Sequence, residues 1–319
     1  MDRPRKLFQN LNASGQLNDR TIVVASADGS VARVTDDING DGVIDETVVQ
    51  QTTADGTRRV SSMDGAVALA GTREFGTSGG KYVTTSANGL TTTVRFDANG
   101  DGPAETQTED VTVLNADGSK VQTVTNADLA GGDPAAENPS YTVTVLDRAV
   151  ITTSANGRVV TAQWDLTGSG VFTASREDAT TFGADGSTTQ TTSYFSGSTL
   201  TSQFEVTTSG DGQTETTRWN TDGLGTFDEV STKVISKNAN GTTTETVTNT
   251  TFGGAPLSQT VTTSSADGRT VTVQEDPDGI GGFDKTTTTE TLTLADGSTI
   301  VTVSEVGWGR NRSAGADRQ

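Results

Sequence analysis

The sequence contains no cysteine and no histidine. Without cysteine, the chain has neither a disulfide framework nor a thiolate metal site. Without histidine, it lacks the side chain that most often binds metals or acts as a general base near neutral pH. The serines show no arrangement with a neighbouring base that would make one of them a nucleophile. We therefore expect a protein without enzymatic activity, and we assign no catalytic residue and no site for an organic cofactor.

Basic residues are also scarce. The chain has 22 Lys and Arg against 41 Asp and Glu, which gives a net charge of −19 and a pI near 4.2. Nucleic acids are bound largely through Lys and Arg, so this charge argues against a nucleic-acid partner. No apolar run is long enough to cross a bilayer, and we expect no membrane insertion. Cations would relieve the self-repulsion of such an acidic chain, which favours a divalent metal as partner.

Apolar residues make up 31% of the chain and aromatic residues 5%, which is little for a deep core. Threonine is abundant instead, and its branched Cβ suits a pleated, partly exposed sheet. Apolar and polar residues alternate, as in the segment 90–96, where Leu90, Val94 and Phe96 share one face. A period of two predicts strands, and the Asp-Gly and Asn-Gly pairs between such segments predict hairpin turns. The predicted fold class is therefore all-β.

Two series of turn glycines mark an internal repeat. The first series is Gly29, Gly89, Gly157, Gly212 and Gly268, and the second is Gly56, Gly118, Gly186, Gly241 and Gly297. A loop rich in Asp, Asn and Gly begins eight residues after each glycine of the first series. This spacing predicts five repeats of about four antiparallel strands within residues 21–306. Their expected bounds are 21–80, 81–146, 147–203, 204–258 and 259–306, with tails at 1–20 and 307–319.

Repeats of four strands fit two architectures. In an open or superhelical array of hairpins, each repeat contacts only its neighbours. In a five-bladed β-propeller, the repeats close into a ring. Propeller blades need nearly continuous apolar inner strands, whereas these strands are rich in threonine on both faces. We favour the open array and keep the propeller as the alternative.

The recurring loops carry the chemistry. We number them 1 to 5 in chain order, as residues 37–45, 97–105, 165–173, 220–228 and 276–284, and count positions 1 to 9 within each. Oxygen ligands at positions 1, 3, 5 and 9, with glycine at position 6, resemble the front of an EF-hand-type calcium loop. The predicted Ca²⁺ ligands are Asp37, Asn39, Asp41, the Val43 carbonyl and Asp45 in loop 1; Asp97, Asn99, Asp101 and Glu105 in loop 2; Asn220, Asp222 and Asp228 in loop 4; and Asp276, Asp278 and Asp284 in loop 5.

The loops are not equivalent. Loops 1 and 2 carry four side-chain ligands each, whereas Leu224 and Ile280 replace the ligand at position 5 of loops 4 and 5. Loop 3 has a single carboxylate, Asp165, and is not expected to bind calcium. Asp, Asn and Gly also form turns without any metal, and one copy alone would carry little weight. The expected order of calcium binding is loops 1 and 2, then loops 4 and 5.

Aromatic residues flank the loops. Phe96, Trp164 and Trp219 precede position 1, and Phe172, Phe227 and Phe283 occupy position 8. They could form a row that stacks on glycans, or each could be the main core anchor of its repeat. We expect the core role, because the chain has few other large apolar residues.

The phrases Thr-Thr-Ser-Ala-Asn-Gly, Val-Leu-Asn-Ala-Asp-Gly-Ser and Asp-x-Asn-Gly-Asp-Gly resemble those of large secreted RTX-like, haemolysin-type calcium-binding proteins of Gram-negative bacteria. The glycine-rich RTX nonapeptide is absent, and the loops are also similar to those of integrin-type propellers. The resemblance covers most of residues 21–306 and implies an extracellular or cell-surface structural or adhesive protein that binds calcium. The alternative is a propeller that binds a surface glycan or another protein. Residues 1–8 do not predict a signal peptide, so the sequence does not indicate an export route.

Overall fold

The computed structural model describes residues 5–65, 79–100, 103–132 and 140–307. These residues form 21 β-strands and no helix, which confirms the prediction of an all-β chain. The described part of the chain therefore offers no helix that is long and apolar enough to cross a membrane.

The chain divides into two compact units, Met1–Ser175 and Arg176–Gln319. The first contains β1 (Arg5–Leu11), β2 (Leu17–Ala25), β3 (Val31–Asp37), β4 (Glu46–Thr52), β5 (Arg58–Asp64), β6 (Gly80–Thr85), β7 (Thr91–Asp97), β8 (Thr106–Leu114), β9 (Lys120–Ala130), β10 (Thr142–Thr153) and β11 (Val159–Asp165). β12 (Ala174–Phe182) begins at the end of this unit. The second contains β13 (Thr188–Ser196), β14 (Thr199–Thr208), β15 (Thr214–Asn220), β16 (Glu229–Lys237), β17 (Thr243–Thr251), β18 (Pro256–Ser264), β19 (Thr270–Asp276), β20 (Lys285–Thr293) and β21 (Thr299–Gly307).

Each unit is an antiparallel meander. In the first, every strand from β1 to β11 pairs with the next strand in the chain. In the second, the strands from β13 to β21 do the same. Within the described residues, β1 pairs only with β2 and β21 only with β20. The sheet of each unit is therefore open rather than closed.

One strand lies where we expected a tail. β1 occupies Arg5–Leu11 and β2 begins at Leu17, inside the predicted tail 1–20. The turn between them is closed by hydrogen bonds from Asn12 N to Gln16 O (2.8 Å) and from Gly15 N to Asn12 O (2.9 Å). This Asn-Ala-Ser-Gly turn is chemically like the internal ones and was the available signal for the strand. At the other end, β21 reaches Gly307, and residues 308–319 lie outside the described part.

The two series of glycine turns form two kinds of hairpin connection. In the first series, Ser26 N donates to Val31 O at 2.8 Å across a four-residue connection. In the second, Thr53 N donates to Thr57 O at 2.8 Å across a three-residue connection. In both kinds, the Asp or Asn before the glycine accepts a hydrogen bond from the N–H two residues later, as Asp28 does from Ser30 N at 3.1 Å. These side chains fix the turn geometry and therefore the strand register.

Polar cross-strand pairs stabilise much of the sheet surface. In the second unit, Arg218 pairs with Glu205 at 2.6 Å, and Lys233 with Glu215 at 3.1 Å, each across directly opposed positions. Exposed pairs of this kind contribute only about 0.2–1 kcal/mol each to the free energy of unfolding, so many pairs are needed to stabilise the sheet. The sheet therefore depends on numerous weak contacts between long polar side chains.

Buried apolar residues are few, as the composition predicted. Among the described residues, Tyr82, Ala104 and Leu129 form a small buried cluster, with Tyr141 packed against it. In the described part of the chain, the largest side chains with less than 2% exposure are polar: Thr47 and the aspartates at position 1 of loops 1 to 3. The most completely buried groups thus lie at and beside the loops rather than in a hydrophobic core.

The turn aspartates are held in their charged form. Hydrogen bonds from the Ser26 hydroxyl and from the Ser30 N–H and hydroxyl lower the pKa of Asp28 from 3.8 to about 2. The pKa of six further turn aspartates is lowered in the same way, first by a Ser or Thr hydroxyl and then by a backbone N–H. These residues are Asp55, Asp117, Asp185, Asp211, Asp267 and Asp296.

Asp28→Asn should make this contribution measurable. The folded pKa of Asp28 lies below the ordinary value, so its stabilisation is present above pH 3.8 and lost as the pH falls towards 2. Asn keeps the turn, as Asn88 does at the equivalent position, but does not titrate. We expect the difference in unfolding free energy between wild type and Asp28→Asn to be full at neutral pH and to disappear near pH 2. Urea denaturation across this range measures it, and a difference independent of pH would contradict the assignment.

Candidate functional site

The five loops connect strands in the same way. Each preceding strand, β3, β7, β11, β15 or β19, ends at position 1, and the following strand begins after position 9. Consecutive loops are four strands apart, and successive strands of a meander run in opposite directions. Loops 1, 2 and 3 therefore lie at the same end of the strands in the first unit's sheet. Loops 4 and 5 likewise lie at the same end of the strands in the second unit's sheet.

The side chain at position 1 is buried in every loop. Its exposed fraction is 0% for Asp37, 1% for Asp97, 0% for Asp165, 2% for Asn220 and 5% for Asp276. In loop 5, Asp276 accepts hydrogen bonds from Gly279 N at 2.9 Å and Gly281 N at 3.1 Å. In loop 1, Asp37 accepts the equivalent bonds from Gly40 N at 2.8 Å and Gly42 N at 3.1 Å. In loops 1 and 5, position 1 therefore organises the loop by capping the backbone N–H groups of positions 4 and 6.

The carboxylate at position 9 closes the loop. Asp45 accepts from Ile38 N, and Glu105 from Ala98 N, both at 2.7 Å. Asp228 accepts from the N–H and the hydroxyl of Thr221, both at 2.7 Å, and these bonds lower its pKa. Each carboxylate retains lone pairs beyond those used here, so capping does not prevent cation binding.

Loop 3 lacks this closure, because Thr173 occupies position 9. Burial would raise the pKa of Asp165, but hydrogen bonds from Gly170 N, Thr167 and Ser169 N outweigh it, and the pKa is lowered. The backbone thus keeps this lone carboxylate ionised without a second acid beside it.

The acidic side chains converge most closely in loop 5. Within the part of the chain that the structure describes, Asp276, Asp278 and Asp284 are the group of three acids whose oxygens all lie within 4.8 Å of one another. Asp276 is buried, Asp284 half-buried and Asp278 exposed. Loop 1 offers more ligands in sequence but does not bring its three carboxylates together as closely. Closeness of the acids therefore does not follow the number of ligands in the sequence.

Position 5 faces solvent. Leu224 is 80% exposed and Ile280 73% exposed at this position of loops 4 and 5, and Asp41 is also exposed in loop 1. Loss of the position 5 carboxylate therefore leaves positions 1, 3 and 9 in place.

Two other predicted ligands of loop 1 lie near its surface. Asn39 accepts from Asp41 N at 2.9 Å, and Val43, whose backbone carbonyl is a predicted ligand, is 63% exposed. In loop 2, Asp101 lies outside the described residues.

The residue opposite position 1 on the adjacent strand differs between loops. It is Arg20 in loop 1, Gly80 in loop 2, Arg148 in loop 3, Gln203 in loop 4 and Gln259 in loop 5. Arg20 forms a salt bridge to Asp37 at 3.2 Å and donates to the Gly42 carbonyl at 3.3 Å. A guanidinium thus compensates the buried charge of loop 1, whereas loop 5 faces a neutral amide. Sequence analysis missed this difference, although the partner always lies 17 residues before position 1, as residues 20 and 37 show.

Glycine at position 4 lets the loops pack against the adjacent strand. Position 4 is glycine in all five loops, although only position 6 entered the sequence prediction. In loop 4, Gly223 has φ of 72°, and a Cβ there would lie 2.2 Å from the Leu200 carbonyl oxygen. Gly225, at position 6, has φ of 84° but no atom within 4 Å of such a Cβ. Position 4 therefore requires glycine because of both its positive φ and the close approach of the adjacent strand. Position 6 requires it because of its positive φ alone.

The aromatic residues beside the loops are not fully buried. Phe96 is 47% exposed, and the other five, Trp164, Phe172, Trp219, Phe227 and Phe283, are half-buried. Phe96 lies on a cleft of about 420 Å³ beside loop 2, which Ser62, Asp64, Lys81 and Asn99 also line. In the second unit, Phe227 packs at 6.0 Å, centroid to centroid, against Phe252. The expected core role fits half-buried residues such as Phe227 better than it fits Phe96.

Alanine substitutions in loop 4 test the packing of position 4. Gly225→Ala meets only the unfavourable backbone conformation and should cost about 1–2 kcal/mol of stability. Gly223→Ala meets the same cost and must also displace the loop from Leu200, so we expect a loss of about 3 kcal/mol or more. Urea denaturation of the two variants measures the difference. Equal losses would mean that the close approach to β14 is unimportant.

Comparison with known proteins supplies no assignment. No protein-family model matches the chain, and no curated protein shows significant similarity to it. The function of the loops therefore has to be argued from their own residues and geometry.

Proposed function

We propose that this chain is a calcium-binding, non-enzymatic structural or adhesive repeat protein of the cell surface or extracellular space. The observation that carries the proposal is the cluster of Asp276, Asp278 and Asp284 in loop 5. Three carboxylates so close together repel one another unless a cation lies between them. A divalent cation supplies the missing charge.

Calcium fits the ligands better than other metals. Carboxylate, amide and carbonyl oxygens are hard ligands, and the chain has neither cysteine nor histidine for softer metals. Flexible loops of alternating ligands suit calcium, whereas magnesium demands a nearly ideal octahedron. We propose extracellular-type affinity, with a Kd on the order of 10⁻⁴ M.

The loops should bind with unequal affinity, and loop 5 takes first place in our proposal. Loop 4 has the same spacing and a neutral cross-strand partner but carries Asn220 in place of an aspartate. Loop 2 has Gly80 rather than an arginine opposite Asp97. Loop 1 keeps its predicted ligands, but Arg20 already compensates Asp37. Loop 3 is not proposed as a site.

For the architecture, we propose five four-stranded repeats in an open or superhelical array rather than a five-bladed propeller. The support is that the loops recur every fourth strand and that β1 and β21 each have one neighbour among the described strands. In such an array, each calcium would strengthen the connection between the second and third strands of a repeat. This role suits a protein that must stay rigid where calcium is abundant.

Glycan binding is the second candidate function. The cleft beside loop 2 favours it, because the exposed Phe96 offers a stacking surface next to Asp64, Lys81 and Asn99. Binding of oligosaccharides that is lost in Phe96→Ala, with calcium binding unchanged, would support this function over a purely structural one.

Asp276→Asn should separate the metal site from the fold. Asn220 holds position 1 of loop 4 and accepts from Gly223 N at 2.7 Å. The substitution therefore keeps the bond from position 4, gives up the bond from Gly281 N and removes one charge. In EDTA we expect Asp276→Asn to be close to wild type in stability, because weaker repulsion within the cluster offsets the lost bond from Gly281 N. With calcium at a hundredfold excess over Kd, each occupied site stabilises by about 2.7 kcal/mol, and the variant should lose this gain at loop 5. Calorimetric titration and thermal unfolding measure both effects.

The matched control is Asp267→Asn, which removes the same charge from a turn aspartate outside the loops. It should leave calcium stoichiometry unchanged. If calcium fails to raise the Tm of the wild type, or raises it equally in wild type and Asp276→Asn, the proposed site in loop 5 is wrong.

Exchanging the cross-strand residues of loops 1 and 5 should exchange their calcium affinities. Arg20→Gln gives loop 1 the amide found opposite loop 5, and calcium should bind loop 1 more tightly. Without calcium, the variant should lose about 1–2 kcal/mol, because Asp37 stays buried without its guanidinium partner. Gln259→Arg should weaken loop 5 about tenfold, which is about 1.4 kcal/mol. Unchanged titration curves in both variants would rule out competition by arginine.

A further inference from the structure

The last described strand of the second unit has a single strand neighbour among the described residues. β21 pairs with β20 over its full length without a bulge, and no other described strand pairs with it. All nine of its residues are exposed, including Ile300 at 48%, Val301 at 58%, Val303 at 62% and Val306 at 54%. Edge strands are usually protected by proline, lysine or a bulge. β21 has none of these, whereas β1 in the first unit carries Arg5 and Lys6.

The turn before β21 determines which backbone groups face outward. Leu294 N donates to Ser298 O at 2.8 Å and makes this pair the first hydrogen-bonded pair of the hairpin. Hydrogen-bonded and non-hydrogen-bonded pairs alternate along an antiparallel ladder. The even-numbered residues of β21 therefore bond to β20, and the N–H and C=O groups of residues 299, 301, 303, 305 and 307 point away from the sheet.

We propose that β21 pairs antiparallel with β21 of a second copy of this chain, about a two-fold axis at Val303. In this register, Val303 lies opposite the partner's Val303, and Ile300 lies opposite the partner's Val306. The outward-facing odd-numbered residues then pair with one another and satisfy their backbone groups. The nine residues of the strand take part, and two sheets join through a continuous ladder.

The charge pattern of β21 selects this register. Glu305 is the one charged residue of the strand and lies opposite the partner's Val301, not opposite the partner's Glu305. A register centred on residue 305 would oppose two carboxylates, and any register centred away from residue 303 would leave part of the nine-residue strand unpaired. The self-complementary surface therefore fits a second copy, with isologous contacts on both sides of the axis.

Two lysine substitutions test both the dimer and its register. Val303→Lys places two like charges opposite each other and should abolish the dimer. Val301→Lys places each introduced lysine opposite the partner's Glu305 and should preserve it. Val303→Pro removes one outward N–H without touching the ladder to β20 and should also give monomers, whereas Val303→Thr should not. Circular dichroism checks that each variant keeps its β-structure.

Sedimentation velocity of the full chain over a wide concentration range is the readout. We expect the mass to rise from 32.9 kDa towards twice that value, with slowed amide exchange at residues 301, 303 and 305 in the dimer. A wild-type chain that stays monomeric throughout overturns the proposal. A dimer that survives Val303→Lys and Val303→Pro, or that Val301→Lys disrupts as strongly as Val303→Lys, also overturns it.

Discussion

Each loop depends on hydrogen bonds from its backbone N–H groups to the buried side-chain oxygen at position 1. In loop 5, both carboxylate oxygens of Asp276 accept backbone hydrogen bonds, and the side chain is only 5% exposed. A buried acceptor without donors would cost about 1–3 kcal/mol, and so would the orphaned N–H groups of the loop. The cap therefore determines the path of the loop, and the direction in which the next strand leaves depends on it.

Burying a carboxylate removes its negative charge from water, and hydrogen bonds from backbone N–H groups compensate this cost only in part. In loop 1, Arg20 balances the buried charge of Asp37. Loop 4 has the neutral Asn220 at position 1. In loop 5, Asp278 and Asp284 add two further negative charges beside Asp276. The loops therefore share one backbone arrangement but differ in the charge around position 1. Among the described residues, loop 5 brings three carboxylates closest together, although loop 1 has more ligands in its sequence. The number of ligands in the sequence therefore does not predict how closely the acids lie.

The sequence predicted most of what is local. Alternation and Asx-Gly turns located the strands, and the loop spacing placed positions 1 and 9 at the strand boundaries. The burial of Asp37 and its pairing with Arg20 were not predicted, because cross-strand neighbours depend on the length of the connecting turn. The glycine at position 4 was present in every loop, but its role follows from contact with β2, β10, β14 or β18, which no periodicity displays. β1 was missed because its Asn-Ala-Ser-Gly turn, although chemically similar to the internal turns, separates Asn from Gly by two residues.

A sheet of this composition has little hydrophobic stability in reserve. The described residues bury few apolar side chains, and the exposed threonine and ion pairs contribute weakly. Disulfides and metals are two ways of stabilising a fold with little buried apolar surface, and this chain has no cysteine. A cation bound at any of the four proposed loops would stabilise the strands on both sides of that loop. Stability would then rise with occupancy along the chain rather than depend on one central core.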